Sequence, residues 1–409
     1  MPHLIGRFEK RIPIERLGSS KHVTVAGNLT FRDGQWEIKD QTGFLHIPPQ
    51  AIQPQLDEAF TYWAALEMRD STWSVLFHQV QSSQNKQPAA MNHYPEFHQR
   101  FAILQATRSY FNELDFQEVD TPVMVTCPGM EPYLEAFSVE QKYLRTSPEL
   151  HMKQLLCAGW DRIFQLAPSF RNEPESRLHH HEFIMLEWYR SFADLNDLIK
   201  DTQGLLHSLA SYSIDPDYFQ RDIAVWQMPD LFLHLTGIEL REANSKQQMR
   251  RYLKKKDLHY CDDDSWDDLF FRVFLTAIEP KLGIQQPEVV SGYPLSQSAL
   301  AKVNPISNGK YKSCYRFELF IKGIECANAF YELCDPLEQE KRYQEASSKR
   351  RSLGKAPYPS DAAYMDALRK GMPPSAGIAL GMDRLIMLLL GKNSLKEIAR
   401  FYSRHLSEA

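Results

Sequence analysis

Apolar and polar residues alternate along four short stretches near the start of the chain. VTVAGNLTF from Val23, WEIKDQTGFLHI from Trp36, YWAALEM from Tyr62 and WSVLFHQV from Trp73 are rich in β-branched and aromatic residues, with Asp33-Gly34 and Thr42-Gly43 as turn signals. Four or five such strands within residues 20–81 predict a small all-β barrel of OB type over residues 1–81, with Trp36, Trp63 and Trp73 in its core. Residues 82–93 are polar, lack periodicity and read as a linker to a second domain over 94–409. From Tyr94 the spacing becomes helical, as in Phe97, Phe101, Leu104, Tyr110 and Leu114. Pro122 forces an extended segment after it.

Further on, SPELHMKQLLCAG predicts a helix with Pro148 near its first turn, and RIFQLAPSFRNE and EFIMLEWYR predict two strands. Residues 192–290 read as mostly helical, RFELFIKGIECANAFYE as a hairpin, and GIALGMDRLIMLLLG as a strand running into a helix that stops at Gly391. Ser394 and Glu397 form a capping box for a last helix. Hairpins with helices segregated between them predict an α+β domain.

Composition narrows the class. The chain has 409 residues, 43% of them hydrophobic, and a net charge of −5, which excludes a disordered chain and a uniformly basic nucleic-acid coat. Its six cysteines show no zinc or disulfide spacing, no secretory h-region opens the chain, and no apolar run reaches membrane length. These features predict a soluble cytoplasmic protein without a membrane partner. Neither GxxxxGK[ST] nor GxGxxG occurs, so a nucleotide would need side-chain cations, a metal and an aromatic platform.

Three constellations offer these. In Phe170-Arg171-Asn172-Glu173 and the strand after it, alternation puts Phe183, Met185, Glu187 and Tyr189 on one face and Ile184, Leu186 and Trp188 on the core face. Arg171 can then reach a phosphate, although the segment also reads as a salt-bridged sheet edge. Glu318 and Glu325 flank Lys322-Gly323. A two-residue turn there sets Phe320 opposite Glu325 with Glu318 diagonal to it, a gap suited to Mg²⁺ or simply to solvated glutamates. Asn328 joins that face only if a bulge intervenes. In Gly377-Ile-Ala379-Leu-Gly381-Met-Asp383-Arg384, glycines permit close ligand approach and Arg384 falls in the first turn of a helix. His179, His180 and His181 diverge on an extended segment, so a loop over phosphate fits them better than a shared metal.

Together these strings resemble the class II aminoacyl-tRNA synthetases. The resemblance runs from Tyr94 onward, with Asp120-Thr121-Pro122 as the proline-containing dimer motif, Phe170–Glu173 as the second motif and Gly381–Arg384 as the third. TSPELHMK, SFRNE, EFIMLEWY and GIECANAFYEL resemble its lysine branch. SGYPLSQSALAKV, Ala379 and the short C-terminal domain resemble the lysyl-tRNA synthetase paralogues that attach (R)-β-lysine to a lysine of elongation factor P.

The resemblance implies a class II antiparallel sheet with flanking helices, ATP and Mg²⁺ as cofactors, and a homodimer. It implies that Arg171 holds the α-phosphate and the substrate carboxylate, that Arg384 holds the γ-phosphate, and that Glu318 and Glu325 carry Mg²⁺. Glu173 and His180 would border the adenine, Phe183 would stack on it, and Gly381 would let ATP approach. Asn172 and Leu319 would also bind the nucleotide. Ser147, Pro148 and Glu149 would bind a substrate amino group, while Glu187, Tyr189, Asn328, Glu332 and Ala379 would line the lysine pocket. Substrate carboxylate would attack the α-phosphorus, and a lysine of elongation factor P would attack the resulting adenylate.

Three departures stand out. His180-His181 replaces a usual Asn-Pro pair, Ala329 a usual Gly, and the N-terminal barrel is smaller than an anticodon-binding one and absent from most such paralogues. Residues 1–95 carry nine Lys and Arg and nine Asp and Glu, a neutral balance that makes tRNA an unfavoured partner. Two other functions stay open: a lysyl-tRNA synthetase with a reduced barrel, and a non-catalytic synthetase-like regulator.

Overall fold

A computed structural model describes residues 22–39, 44–53, 56, 60–69, 72–83, 95–298, 300–306 and 310–398. The chain divides into two compact units, Met1–Pro95 and Glu96–Ala409. The first contains β1 (His22–Arg32), β2 (Gln35–Lys39), β3 (Phe44–Ile47), β4 (Ile52–Gln53), β5 (Phe60–Arg69) and β6 (Thr72–Ser83), in the sheet order β3-β2-β1-β5-β6-β4. Asp33 and Gly34, both in the left-handed region, close the β1–β2 hairpin. Val25, Leu29, Trp36, Ile38, Ile47, Leu66 and Trp73 form one core, as alternation predicts for an OB-like unit. The Thr42-Gly43 turn, the Trp63 side chain and the linker from residue 84 lie outside the described residues; Ser82 and Ser83 end β6.

The second unit is built on eight strands. They are β7 (Gln117–Glu118), β11 (Arg162–Phe170), β12 (Glu182–Ser191), β13 (Ala224–Gln227), β14 (Glu288–Ser291), β15 (Arg316–Ile321), β16 (Ile324–Tyr331) and β17 (Ser375–Gly381), ordered β13-β14-β15-β16-β17-β12-β11-β7. A separate three-stranded sheet holds β8 (Met124–Val125), β9 (Ser138–Val139) and β10 (Lys142–Leu144). The central pairings β14–β15–β16–β17–β12–β11 are antiparallel, and the outer two are parallel. One sheet face packs on helices Pro95–Glu113, Leu195–Leu209 and Met382–Leu389 through Phe111, Phe164, Trp188, Leu319, Ala329 and Ile378. The other face is left for the site. Helices Met228–Thr236, Ser245–Lys255 and Trp266–Val273 make a second core beside β14 and β15, within the stretch read as helical.

The Ser394–Glu397 capping box forms, but among the described residues it starts only the single 3₁₀ turn Leu395–Glu397 and not a full helix. Reciprocal capping satisfies end amides without supplying the packing that a short helix needs. All six cysteines are free thiols. Among the described residues no helix is long and apolar enough to cross a membrane.

Candidate active site

Sheet register assembles the site. Glu187 pairs with Ala379, Ala379 with Asn328, and Asn328 with Glu318, so one row of inward side chains crosses β12, β17, β16 and β15. The next row carries Tyr189, Gly377, Phe330 and Arg316. This alignment depends on an irregularity. Lys322 and Gly323, at φ 50° and 76°, form the two-residue turn, and Phe320 faces Glu325 as that turn requires. Between Leu319 and Phe320 the register slips, so that Leu319 pairs with Ala327 and Glu318 with Asn328. The extra residue restores Asn328 to the face of Glu325. It also replaces the diagonal expected between Glu318 and Glu325 by a direct Glu318–Asn328 pairing.

Above these rows lies a cavity of about 360 Å³. Its two ends differ in charge. Glu131, Ser147, Glu149, Tyr189, Asn328, Glu332 and Ala379 line one end; Arg171, Glu173, His180, Phe183, Glu325, Gly381 and Arg384 line the other.

At the acidic end, helix Glu149–Cys157 points its first turn into the cavity. Ser147 Oγ accepts from the Glu149 backbone N–H at 3.0 Å and donates to Glu187 Oε1 at 2.6 Å, while Tyr189 OH donates to Glu187 Oε2 at 2.8 Å. Glu187 is 0% exposed and thus braces the wall from behind rather than lining it. Burial, reinforced by the Glu149 charge, pushes its carboxyl up to about 8. Lys153, 1% exposed and one turn after Glu149, bridges Glu149 Oε1 at 2.5 Å and Glu332 Oε2 at 2.6 Å. Burial pushes Glu332 up to about 7, with Lys153 opposing. Burial and then Glu149 likewise raise Glu131. A Cβ on Gly377 would stand 2.2 Å from the Tyr189 ring and 2.5 Å from Glu332 Oε1, so only glycine lets these two side chains cross β17.

At the other end, the Arg171 guanidinium carbon lies 5.3 Å from the Phe183 ring centroid. Arg384 donates to the Glu325 carbonyl at 2.8 Å and to His179 Nε2 at 2.9 Å, and Ser176 Oγ lies 2.9 Å from His179 Nδ1. Because Arg only donates, Nε2 accepts and the His179 proton sits on Nδ1. His179 and His180 both line the cavity, while His181 packs edge-on against Phe137. The divergence expected on an extended segment is incomplete, because His180 Nδ1 and His181 Nδ1 lie 3.6 and 3.9 Å from the same Glu175 oxygen. A methyl on Gly381 would meet no atom closer than 3.7 Å, so packing within the chain does not itself require glycine there. Glu318 sits beneath this end, its oxygens held by Arg316 and Tyr293. Burial, with Glu325 and Glu279 adding to it, pushes Glu318 up to about 7 against the opposing Arg316. Burial and the Glu325 charge raise Glu279 too.

Some expected residues are elsewhere. Leu319 is buried in the hydrophobic core on the opposite sheet face, so its side chain cannot bind nucleotide. Asn172 is exposed beyond the cavity wall, with its N–H donated to the Glu135 carbonyl. Pro148 is the N-cap residue that aims Glu149 and is not a wall residue itself. Ala329 turns its methyl into the core, away from Asn328 and Phe330, and so leaves the amino-acid end unchanged. Gly377, expected to let a ligand approach the backbone, instead makes room for Tyr189 and Glu332. Lys153, Glu131, Arg316 and Tyr293 are site or supporting residues to which the sequence alone assigns no role. Only Lys153 carried a signal, its i,i+4 spacing from Glu149.

An antiparallel sheet with an arginine strand-end, a second arginine in a helix first turn and a carboxylate-lined amino-acid end defines a class II synthetase site. A family model described as tRNA synthetases class II (D, K and N) matches residues 89–404, and the chain belongs to this family. Among curated proteins, it is 37% identical over 328 residues to the elongation factor P–(R)-β-lysine ligase of Vibrio atlanticus, a match covering 77% of this chain and 97% of that protein. It is also 37% identical over 331 residues to the protein of the same name from Photobacterium profundum, covering 78% of this chain and 98% of that one.

Proposed function

We propose that the protein is an ATP-dependent ligase that activates (R)-β-lysine, or lysine, as an aminoacyl-adenylate and transfers it to a lysine side chain of elongation factor P. The observation that carries this reading is the two-ended cavity. A cation-and-aromatic end suited to ATP adjoins a carboxylate end suited to a substrate with two ammonium groups. The names of the two relatives give the substrate and the acceptor.

Arg171 stands where the ends meet and would hold both the substrate carboxylate and the α-phosphate. A carboxylate oxygen attacks the α-phosphorus, the bond to the bridging oxygen breaks, and pyrophosphate leaves. The guanidinium stabilises the charge that develops on phosphorus-bound oxygens. Phe183 offers a stacking face for adenine, and Arg384 offers donors to the terminal phosphates once it exchanges its contacts with His179 and the Glu325 carbonyl. The acceptor ε-amine, as free base, then attacks the mixed-anhydride carbonyl. The bond to AMP breaks, the amine proton is released and an amide forms. No protein nucleophile takes part; positioning and charge do the work.

Mg²⁺ fits this end, because burial and the neighbouring Glu325 charge raise Glu279, burial with Glu325 and Glu279 raises Glu318, and a divalent cation would relieve that repulsion. Glu325, which lines the cavity, would hold it with Glu318 beneath, and the ion would neutralise phosphate charge. We also propose a homodimer through the segment around Pro122, where Val123 and Met124 are 38% and 47% exposed. Buried Arg145 ties this segment to β11 by donating to the carbonyls of Thr121, Pro122 and Pro168. A cytoplasmic location follows from the translation-factor acceptor.

A second reading, a lysyl-tRNA synthetase, is favoured by one feature: the N-terminal β unit precedes residue 89, where the family match begins. Amino-acid-dependent ATP–pyrophosphate exchange separates the readings. Preference for (R)-β-lysine, followed by a mass gain on elongation factor P, is the expected result. Preference for α-lysine with transfer to tRNA would establish the second reading, and no exchange with either would leave a non-catalytic protein.

A further inference from the structure

The acidic end contains a cation of its own that the reaction above does not use. Lys153 lies on the inner side of helix Glu149–Cys157 and is 1% exposed. Its ammonium contacts carboxylates from two elements distant in the chain, Glu149 on its own helix and Glu332 just beyond β16. Both carboxylates line the cavity, whereas Lys153 does not. A lysine needed only to anchor the helix would pair with one of them. Pairing with both makes it the bridge between two walls that must face a single ligand.

We infer that Lys153 is a positioning residue of the amino-acid end, joining Glu149 to Glu332 beneath the cavity and holding both carboxylates aimed at an incoming ammonium group. Three observations support it. Buried carboxylates without a counter-charge take up protons, and a protonated carboxyl cannot pair with an ammonium group. Glu332 is already pushed up to about 7 with Lys153 opposing the rise. Burial by itself would lower the Lys153 ammonium, yet Glu149 and Glu332 outweigh it and hold it well above the usual lysine value, so the bridge stays charged. The bare Cα of Gly377 also leaves the room that the Tyr189 ring and Glu332 Oε1 occupy, so Glu332 can reach Lys153 across β17.

The inference rests on the proposal that this end takes a lysine-type substrate, and the experiment tests the two separately. Calorimetric titration of (R)-β-lysine and of α-lysine into the full-length protein, with a non-hydrolysable ATP analogue present, first shows whether the wild type binds either. Binding by neither overturns both the substrate reading and the role of Lys153. Given wild-type binding, Lys153→Met should weaken it about tenfold or more while affinity for the ATP analogue stays within about twofold. In exchange assays the loss should fall on KM for the amino acid rather than on kcat, a split that general loosening of the fold does not produce. Lys153→Gln, which keeps hydrogen-bonding capacity without the charge, should show the same loss and serves if the Met variant does not fold. Amino-acid affinity unchanged in a folded variant, or amino acid and ATP analogue weakened equally, overturns the inference.

Discussion

The two ends of the cavity are built on opposite plans. The nucleotide end presents its cations: Arg171 and Arg384 line the space, and the side chains around them stand on a strand end and a helix first turn. The amino-acid end presents carboxylates and puts its cation behind them, in Lys153. The first plan suits a ligand that brings phosphate charge with it, and the carboxylates Glu318 and Glu325 at this end lie with Arg316 behind them. The second needs like charges kept close together before the ligand arrives, and that requires burial, a counter-ion and a crowded glycine. On the proposed function, the two ends differ in which sign of charge faces the ligand, while both keep a counter-charge behind it, Arg316 at one end and Lys153 at the other.

The largest effect that can break this contrast is at Arg171. Arg171→Ala should lower amino-acid-dependent pyrophosphate exchange by about 10²–10³, the range for removing one stabilising donor from a transition state. The amino-acid end should survive, with (R)-β-lysine affinity by titration retained within about tenfold, since the substrate ammonium groups meet carboxylates that Arg171 does not hold. Wild-type exchange rates in this variant would remove Arg171 from the chemistry and the distinction between the ends with it.

Next in size is Ala379, opposite both Glu187 and Asn328 in the central row. Its methyl is part of the amino-acid wall, and a methyl-sized change is worth about 1–3 kcal/mol of discrimination. Ala379→Gly should therefore shift kcat/KM toward α-lysine relative to (R)-β-lysine by about 10–150-fold, with KM for ATP unchanged. An unaltered ratio would mean that isomer choice is made elsewhere in the pocket.

How far the sequence revealed each end follows from the same contrast. Alternation along EFIMLEWY already separated Glu187 and Tyr189 from Leu186 and Trp188, because a strand has a strict period of two. The Lys322-Gly323 turn fixed the pairing of Phe320 with Glu325 for the same local reason. One residue of bulge on β16 then undid the period there, so Asn328 came into the site, while Leu319, named with its neighbours, faces the core by the ordinary alternation of β15. Bulges depend on how strands fit in three dimensions and leave little trace in a single chain. Glu131, from a loop, and Arg316, which pins Glu318 on its own strand and Asn328 on the neighbouring one, depend on tertiary contacts. The spacing of Glu149 and Lys153 was visible, but an i,i+4 pair is usually a solvated surface pair. Only the arrival of Glu332 from beyond β16 makes it a buried bridge.

A smaller effect tests the cost of burying charge at the amino-acid end. The folded Glu187 carboxyl is held at about 8, above its ordinary 4.5. A raised folded value means that this group's stabilising contribution is fully present below about 4.5 and is lost as pH rises through about 8. Between those limits wild-type Tm should fall relative to Glu187→Gln, which cannot ionise and retains partners for Ser147 and Tyr189. Thermal scans of both proteins across that window should give a difference that moves in favour of the variant with rising pH. A constant difference would show that the folded Glu187 carboxyl ionises in step with the unfolded one and is not raised.

The smallest effect concerns a region that belongs to neither end. Among the described residues, those lining the cavity come from the second unit, and the V. atlanticus protein finds 97% of its length in a match covering 77% of this chain. Two compact units with separate cores are expected to fold separately. Removing residues 1–88 should therefore leave pyrophosphate exchange, and KM for both substrates, within about twofold of the full chain. Transfer gives the sharper reading. The neutral charge of residues 1–95 supplies no general attraction for RNA, so loss of the unit should not change how exchange responds to salt. If transfer to elongation factor P falls while exchange holds, the unit handles the acceptor. If transfer to tRNA is what falls, the unit serves the synthetase reading, and its neutral surface must then bind RNA through stacking rather than charge. A collapse of exchange itself would mean that the first unit shapes the cavity, and the contrast between its two ends would have to be redrawn with a third contributor.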